Sequence, residues 1–402
     1  MFNQTASKPF LSYSRPCVDE ADIRAVVRVL RSQYLTTGPC IKDFEKALAD
    51  CCAVPWAAVV NSGTAALHLA LKALGIGAGD WVVVPAITFL TTANAVRLCG
   101  AEVIFADVDP DSGLMGEAQL QDVLEKEKNK NIKAVIPVYL AGQMDNVAAI
   151  ARLIRARGGW VVEDACHALG AEYQGYPIGS CHDSDMAVFS FHAVKTVAMG
   201  EGGAITTASA ELYQRIVEWR NHGMRRARNV FIHEDRACDS QGRDNAWYYE
   251  MHEVGWNYRV SDIHCALGLS QLQKLSQFVR RRQWLADYYD QLLVPLAPLV
   301  RPILRTGYGR PAWHLYSVLI DFAKIKKDRG YVMRALQAEH IGTQVHYIPV
   351  STQPYYERRY GVAVLPGAER YYARTLSLPL YPDLSAEDVE RVVHTLKTIV
   401  ME

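Results

Sequence analysis

Ser190-Phe191-His192-Ala193-Val194-Lys195-Thr196-Val197-Ala198-Met199-Gly200-Glu201-Gly202-Gly203 is the stretch on which the reading of this chain turns. Met186-Ala187-Val188-Phe189 before it is an apolar run of strand length, and Ala204-Ile205-Thr206-Thr207 after it reads as a second strand. A lysine held between a strand end and a glycine turn sits on a rigid frame with space around its amine. Burial beside a ligand lowers the pKa of such an amine and frees its lone pair for Schiff-base chemistry. A lysine alone argues little, since most are solvated surface charges; the surroundings decide.

Upstream, apolar β-rich runs at 57–60, 81–85, 103–105, 134–138 and 160–162 alternate with helical patterns at 65–74, 92–98, 118–126 and 147–157. Continuous apolar strands separated by helices predict an α/β fold, a mainly parallel sheet covered on both faces. Ligands of such sheets lie at the carboxyl ends of the strands. Three polar groups follow strands here: Asn61-Ser62-Gly63-Thr64, Glu163-Asp164-Ala165-Cys166-His167, and Ser190 to Lys195. The first suits a phosphate, because the opening amides of the next helix lack intrahelical acceptors; an ordinary turn with a Ser or Thr cap fits it as well. Asp164 ends a buried strand, where a carboxylate is costly unless paired. The protonated ring nitrogen of pyridoxal phosphate would pair with it, and so would a metal, but no second cluster with ligand spacing accompanies it. His167 and Phe89 would pack on such a ring or serve as core residues. Ser190 and Thr64 carry hydroxyls for the phosphate, with Ser190 standing 26 residues after Asp164.

The 402 residues predict two domains, and the apolar half of the composition supplies a substantial core. Lys plus Arg equals Asp plus Glu at 43 each, which argues against a nucleic-acid binder driven by bulk charge. The nine cysteines include no Cys-x-x-Cys and several lie in apolar runs, the usage of a reducing compartment. The polar start carries no signal-peptide core and no apolar run reaches membrane-span length, so the expected location is the cytoplasm, with no membrane partner.

Residues 1–18 read as an arm, 19–280 as a large ligand-binding domain and 281–402 as a small C-terminal domain. Helices are expected at 19–31 and 41–49, and a long loop with freedom to move at 225–250. One long helix starts at 262 and continues through Leu285 and Leu292. Strands follow at 315–322, 343–347 and 376–380, and a helix at 330–339. A final helix opens on the capping box Ser385-Ala386-Glu387-Asp388.

Asn61-Ser-Gly-Thr-Ala-Ala66, Glu163-Asp-Ala-Cys-His-Ala168, Ser190-Phe-His-Ala-Val-Lys195, Gly255-Trp-Asn-Tyr-Arg259 and Val345-His-Tyr-Ile-Pro349 resemble the DegT/DnrJ sugar aminotransferases, which are fold type I enzymes using pyridoxal phosphate. The likeness runs from about residue 10 to about residue 400, and Tyr13-Ser-Arg-Pro-Cys17 and Gln344-Val-His-Tyr347 look closest to the branch acting in pseudaminic acid biosynthesis. The resemblance implies Lys195 as Schiff-base lysine and proton shuttle, with Asp164 on the ring nitrogen and His167 and Phe89 flanking the ring. It implies Ser62, Gly63, Thr64 and Ser190 around the phosphate, with Asn257 reaching in from the second subunit of a homodimer. It also implies a sugar and nucleotide site of Tyr13, Thr36, His346 and Tyr347, with Ser62, Ser190, Tyr34, Leu35, His314, Tyr316 and Gln344 as neighbours. The expected reaction moves an amino group from L-glutamate to a UDP-linked 4-keto-6-deoxy sugar, UDP-4-keto-6-deoxy-L-AltNAc. UDP-4-keto-L-arabinose is the alternative acceptor, and a non-catalytic regulator the alternative class. A dehydratase of this fold would have lost Lys195, and a regulator Lys195 or Asp164. A dinucleotide-binding oxidoreductase would need a glycine fingerprint after its first strand.

Overall fold

The computed structural model describes residues 9–401. The predicted alternation folds into one seven-stranded sheet, made of β1 (Trp56–Val60), β2 (Trp81–Pro85), β3 (Glu102–Ala106), β4 (Ile132–Val135), β5 (Trp160–Asp164), β6 (Met186–Ser190) and β7 (Gly203–Thr207). The order is β1-β7-β6-β5-β4-β2-β3. Every pairing is parallel except those of β7, which runs against both neighbours. Val82, Val83, Val84, Val161 and Val162 are wholly buried because helices cover both faces, which is why these strands show no polar alternation.

The helices begin where their caps stand. Asp19 closes a capping box on Glu20–Leu30. Ser62 accepts from the Ala65 amide and caps Gly63–Ala73, so the Ser62 turn is a cap as well as a candidate phosphate turn. Ser385 and Asp388 exchange the two capping-box hydrogen bonds at 3.1 Å at the start of Ala386–Met401.

A second, antiparallel sheet joins Val300–Pro302, Tyr316–Ile320 and Thr375–Leu378. Leu285 and Tyr289, Val332 and Leu336, and Val392 and Leu396 from three helices pack on it. The same apolar cluster continues to Val83, Val135 and Val161 of the large sheet. The two sheets therefore share a core.

The structure departs from expectation in five places. The long helix is two, Asp262–Leu272 and Leu275–Leu293, broken where Lys274 turns aside to pair with the buried carboxylate of Asp22 at 2.6 Å. Residues 343–347 form no strand. Only Gln344 bridges, to Ser377, because the run leaves the sheet to line a cavity. The 225–250 excursion is held rather than loose: Met224–Arg225 pairs with Glu250–Met251, and the Glu250 carboxylate accepts from the Ile232 and His233 amides and from Tyr248. The described part of the arm is laid down on the C-terminal half, with Leu11 bridged to Ile341 and the Leu380 amide donating to Tyr13 O; residues 1–8 lie outside the described part. The helices Pro354–Tyr360 and Pro366–Arg374 were not anticipated. Among the described residues no helix is long and apolar enough to cross a membrane.

Candidate active site

Strands β5 and β6 deliver their last residues, Asp164 and Ser190, to one end of the sheet. There a cavity of about 500 Å³ opens between that sheet edge and the 344–347 run of the C-terminal half. Its walls carry Tyr13, Ser62, Gly63, Thr64, Phe89, Asp164, His167, Ser190, Lys195, His314, Gln344, His346 and Tyr347, residues 334 positions apart at the extremes. Gly203 on β7 lets this end close up, since a Cβ there would meet the Ser62 carbonyl and lie 2.7 Å from the Gly63 amide.

Lys195 follows β6 through a turn in which its amide donates to His192 O at 2.8 Å. Burial pulls the amine's pKa down, opposed by the nearby Cys166 and Asp164. Among the described residues no hydrogen bond or ion pair holds its Nζ. Asp164 is 6% exposed and has no counter-cation in contact among the described residues. Its Oδ2 accepts from Thr92 Oγ1 at 2.7 Å, and Thr92 is linked to Thr88 at 2.8 Å, so the carboxylate is aimed by a hydroxyl relay on the β2 side. The Cys166 thiol, beside it, is pushed well up by burial and by Asp164.

Three histidines line the other wall. Burial first, and then Lys195 and neighbouring imidazoles, hold His167 and His314 well below the ordinary histidine range; burial takes His346 to about 3. All three rings are neutral at pH 7. His167 contacts the Tyr347 hydroxyl at 3.3 Å through Nε2, and among the described residues its buried Nδ1 has no partner. His314 lies 4.4 Å from it, centroid to centroid, and His346 is anchored on Ser377 at 2.8 Å. Phe89, 58% exposed, lies 6.0 Å from the Tyr347 ring. Across the cavity, Gly63 and Thr64 open their helix with amides that have no intrahelical acceptor. The Ser190 hydroxyl stands beside them, close enough that a Cβ on Gly63 would come within 3.1 Å of Ser190 Cβ.

Five expected residues lie elsewhere. Tyr316 is buried in the second sheet, its hydroxyl donating to Asp290 at 2.6 Å and its ring stacked on Tyr289; it is a core residue, since the chain has entered the strand two residues after His314. Tyr34 and Leu35 are exposed, and Thr36 is bridged to Ser261. Asn257 is exposed, with its backbone bridged to Asn221 and facing Asn61 of its own chain. In exchange the cavity includes Thr88, Thr91, Thr92, Cys166, His192 and Glu201. His192 sits inside the quoted stretch, and its Nε2 lies 4.0 Å from Glu201. Thr92-Ala93-Asn94 is among the runs that carry the family resemblance, but no role was legible for Thr92, because its hydroxyl reads as ordinary until the fold sets it against Asp164.

The family model for DegT/DnrJ/EryC1/StrS aminotransferases matches residues 16–397. The chain belongs to this family. It is a sugar aminotransferase that depends on pyridoxal phosphate. Spore coat polysaccharide biosynthesis protein SpsC of Bacillus subtilis is 39% identical over 97% of both chains. Among solved structures, Helicobacter pylori PseC, an aminotransferase of pseudaminic acid biosynthesis, superposes with a TM-score of 0.87 at 30% identity, covering 98% of this chain and 99% of that one. The PLP form of the sugar aminotransferase Spr1654 from Streptococcus pneumoniae gives 0.86 at 28% identity, over 98% and 99%. The cavity suits the family's cofactor on its own terms. It has a buried carboxylate without a counter-charge, a lysine with a depressed pKa, neutral imidazoles, and helix-start amides beside a serine hydroxyl.

Proposed function

We propose that this aminotransferase moves an amino group from L-glutamate to the 4-keto carbon of a nucleotide-linked 4-keto-6-deoxy sugar. The acceptor in this reading is UDP-4-keto-6-deoxy-L-AltNAc, and the enzyme works as a cytoplasmic homodimer. The observation that carries the choice is the likeness to PseC over nearly the whole of both chains, together with a wall built of Tyr13, Gln344, His346 and Tyr347.

Bound pyridoxal phosphate supplies an electron sink for the donor's α-carbon. The rest falls to the chain. Lys195 would hold the cofactor through its Nζ, and the same amine, whose pKa burial lowers, would move the proton at the donor's α-carbon. Asp164, aimed by Thr92, keeps the ring nitrogen protonated. His167 and Phe89 cover the ring. Ser62, Gly63, Thr64 and Ser190 take the phosphate, with the charge of the helix start in their favour. His314 and Gln344 complete the sugar wall.

Asn257, Tyr34, Leu35 and Thr36 serve a second subunit's site in this reading. Leu35 O accepts from the Asp262 amide and Thr36 bridges Ser261, so these residues cluster on one exposed flank with Asn257. A two-fold partner meets such a flank and returns its own. The higher identity to SpsC favours a second reading, in which the chemistry stands and the acceptor is another nucleotide 4-keto sugar used in polysaccharide assembly. An amine-transfer assay over UDP- and dTDP-linked 4-keto sugars separates the two. Preference for UDP-4-keto-6-deoxy-L-AltNAc is expected, and preference for a dTDP sugar or a UDP pentose overturns the first reading.

A further inference from the structure

Arg282, on the helix Leu275–Leu293, is among the largest fully buried side chains of the protein, 1% exposed. Among the described residues no carboxylate pairs with it. Burial brings its pKa down to about 10, which leaves it charged at neutral pH. Its Nε has no partner, and its Nη1 donates to two backbone carbonyls, His314 O at 3.1 Å and Leu380 O at 2.9 Å. A buried charge without a counter-charge is costly, so the placement of those two carbonyls is what this residue returns to the fold.

Both lead to the cavity. His314 lines it, 4.4 Å from His167. The His314 amide donates to Ala141 O at 2.9 Å, and the next residue, Gly142, is squeezed between the carbonyls of Ala312 and His167 with no space for a side chain. Leu380 donates its amide to Tyr13 O at 3.0 Å, and Tyr13 also lines the cavity, its ring 5.7 Å from that of His346. One guanidinium thus ties together two segments of cavity wall more than 300 residues apart in sequence. The neighbouring Arg281 makes bonds of the same type to Pro382 O and Leu384 O, farther along the same segment, and among the described residues hydrogen-bonds to no residue lining the cavity.

We infer that Arg282 is a positioning residue for amine transfer, whose guanidinium clamps His314 and, through Leu380, Tyr13 so that the His314 ring is set against His167. The proposal rests on the aminotransferase assignment, and its assay also uses L-glutamate from the reading above; the turnover of the parent chain separates a wrong donor from a wrong Arg282. The variants Arg282→Met, Arg282→Lys and Arg281→Met are compared as full-length protein, with imidazole NMR of His314 in the cofactor-free form and kcat and KM in the loaded form.

In Arg282→Met the His314 ring signals should shift, and kcat should fall about 10- to 100-fold while KM for the donor changes little, as expected of misplaced reacting groups. Arg282→Lys, which keeps the charge and one donor direction, should fall between parent and Arg282→Met. Arg281→Met should match the parent in both measurements. Unchanged His314 signals and turnover in Arg282→Met overturn the proposal, and so do equal losses in the Arg281 and Arg282 variants, which would reduce both to holding the 380–384 turn. If Arg282→Met does not fold, Arg282→Lys decides, and parent-like behaviour there overturns it; failure of both to fold makes Arg282 a folding residue and also overturns it.

Discussion

Asp164 and Lys195 carry opposite burdens in the same cavity. Asp164 is a buried carboxylate oriented by Thr92, a placement that suits a cationic partner. Asp164→Asn keeps the shape and removes the charge. Cofactor should still load, as its absorbance will report, while kcat should fall about 10²–10³-fold, the usual cost of losing one preorganised electrostatic partner. Near-normal turnover would show that the ring does not depend on this carboxylate. Lys195 is a cation whose pKa is depressed by burial. Borohydride should fix cofactor on the peptide containing Lys195 and on no other. Lys195→Ala should lose about 10²–10⁴-fold in turnover, the range of a missing general base. Label on a different lysine would end the assignment.

At the scale of the element, strand β5 places two carboxylates side by side on opposite faces, since strand side chains alternate. Asp164 meets the cavity. Glu163 points to the other face, 5% exposed, toward the hydroxyls of Tyr139 and Ser184, and among the described residues its Oε2 has no hydrogen-bond partner within bonding distance. Burial lifts its pKa to about 7. Below the ordinary carboxylate range, folded and unfolded chains both hold the proton. Between that range and about 7 the unfolded chain releases it while the folded chain keeps it, so stability declines as pH rises through this window, by about 1–3 kcal/mol. Glu163→Gln removes the titration. The variant should match the parent's melting temperature near pH 4.5 and exceed it at pH 8. A constant difference across that range would mean that folding leaves the Glu163 pKa where it is in the unfolded chain. The break between Asp262–Leu272 and Leu275–Leu293 belongs to this scale as well. Helical periodicity runs straight through it, and Lys274, at the joint, pairs with Asp19 and Asp22.

For the molecule as a whole, the question is whether one chain makes a complete site. In the proposed dimer it does not, and the exposed flank of Tyr34, Leu35, Thr36 and Asn257 is what each chain lends its partner. Lys195→Ala and Asn257→Ala proteins, mixed under conditions that exchange subunits, test this. A heterodimer then has one site with an intact lysine facing an intact Asn257. Activity should rise above both parents if Asn257 acts across the interface, with a side-chain hydrogen bond to phosphate worth about 1.5–3 kcal/mol. No recovery, with exchange verified by mass, would confine Asn257 to its own chain.

The α/β sheet was legible because wholly buried strands must be apolar throughout and the helices between them amphipathic, two patterns written locally in the chain. Asp164, His167, Ser190 and Lys195 were legible for a related reason, since strand ends in such a sheet all open on one edge and polar residues there have one place to go. What the sequence could not determine is whatever depends on distant segments meeting. Thr92 reaches Asp164 across 72 residues, Arg282 reaches Leu380 across 98, and 343–347 leaves the second sheet to line the cavity. Tyr316 looked like His314's neighbour in the site, and the start of a strand turned it into the core. Local propensity is a property of a few consecutive residues; these contacts are set by how two sheets dock over a shared core, and only the tertiary structure decides that.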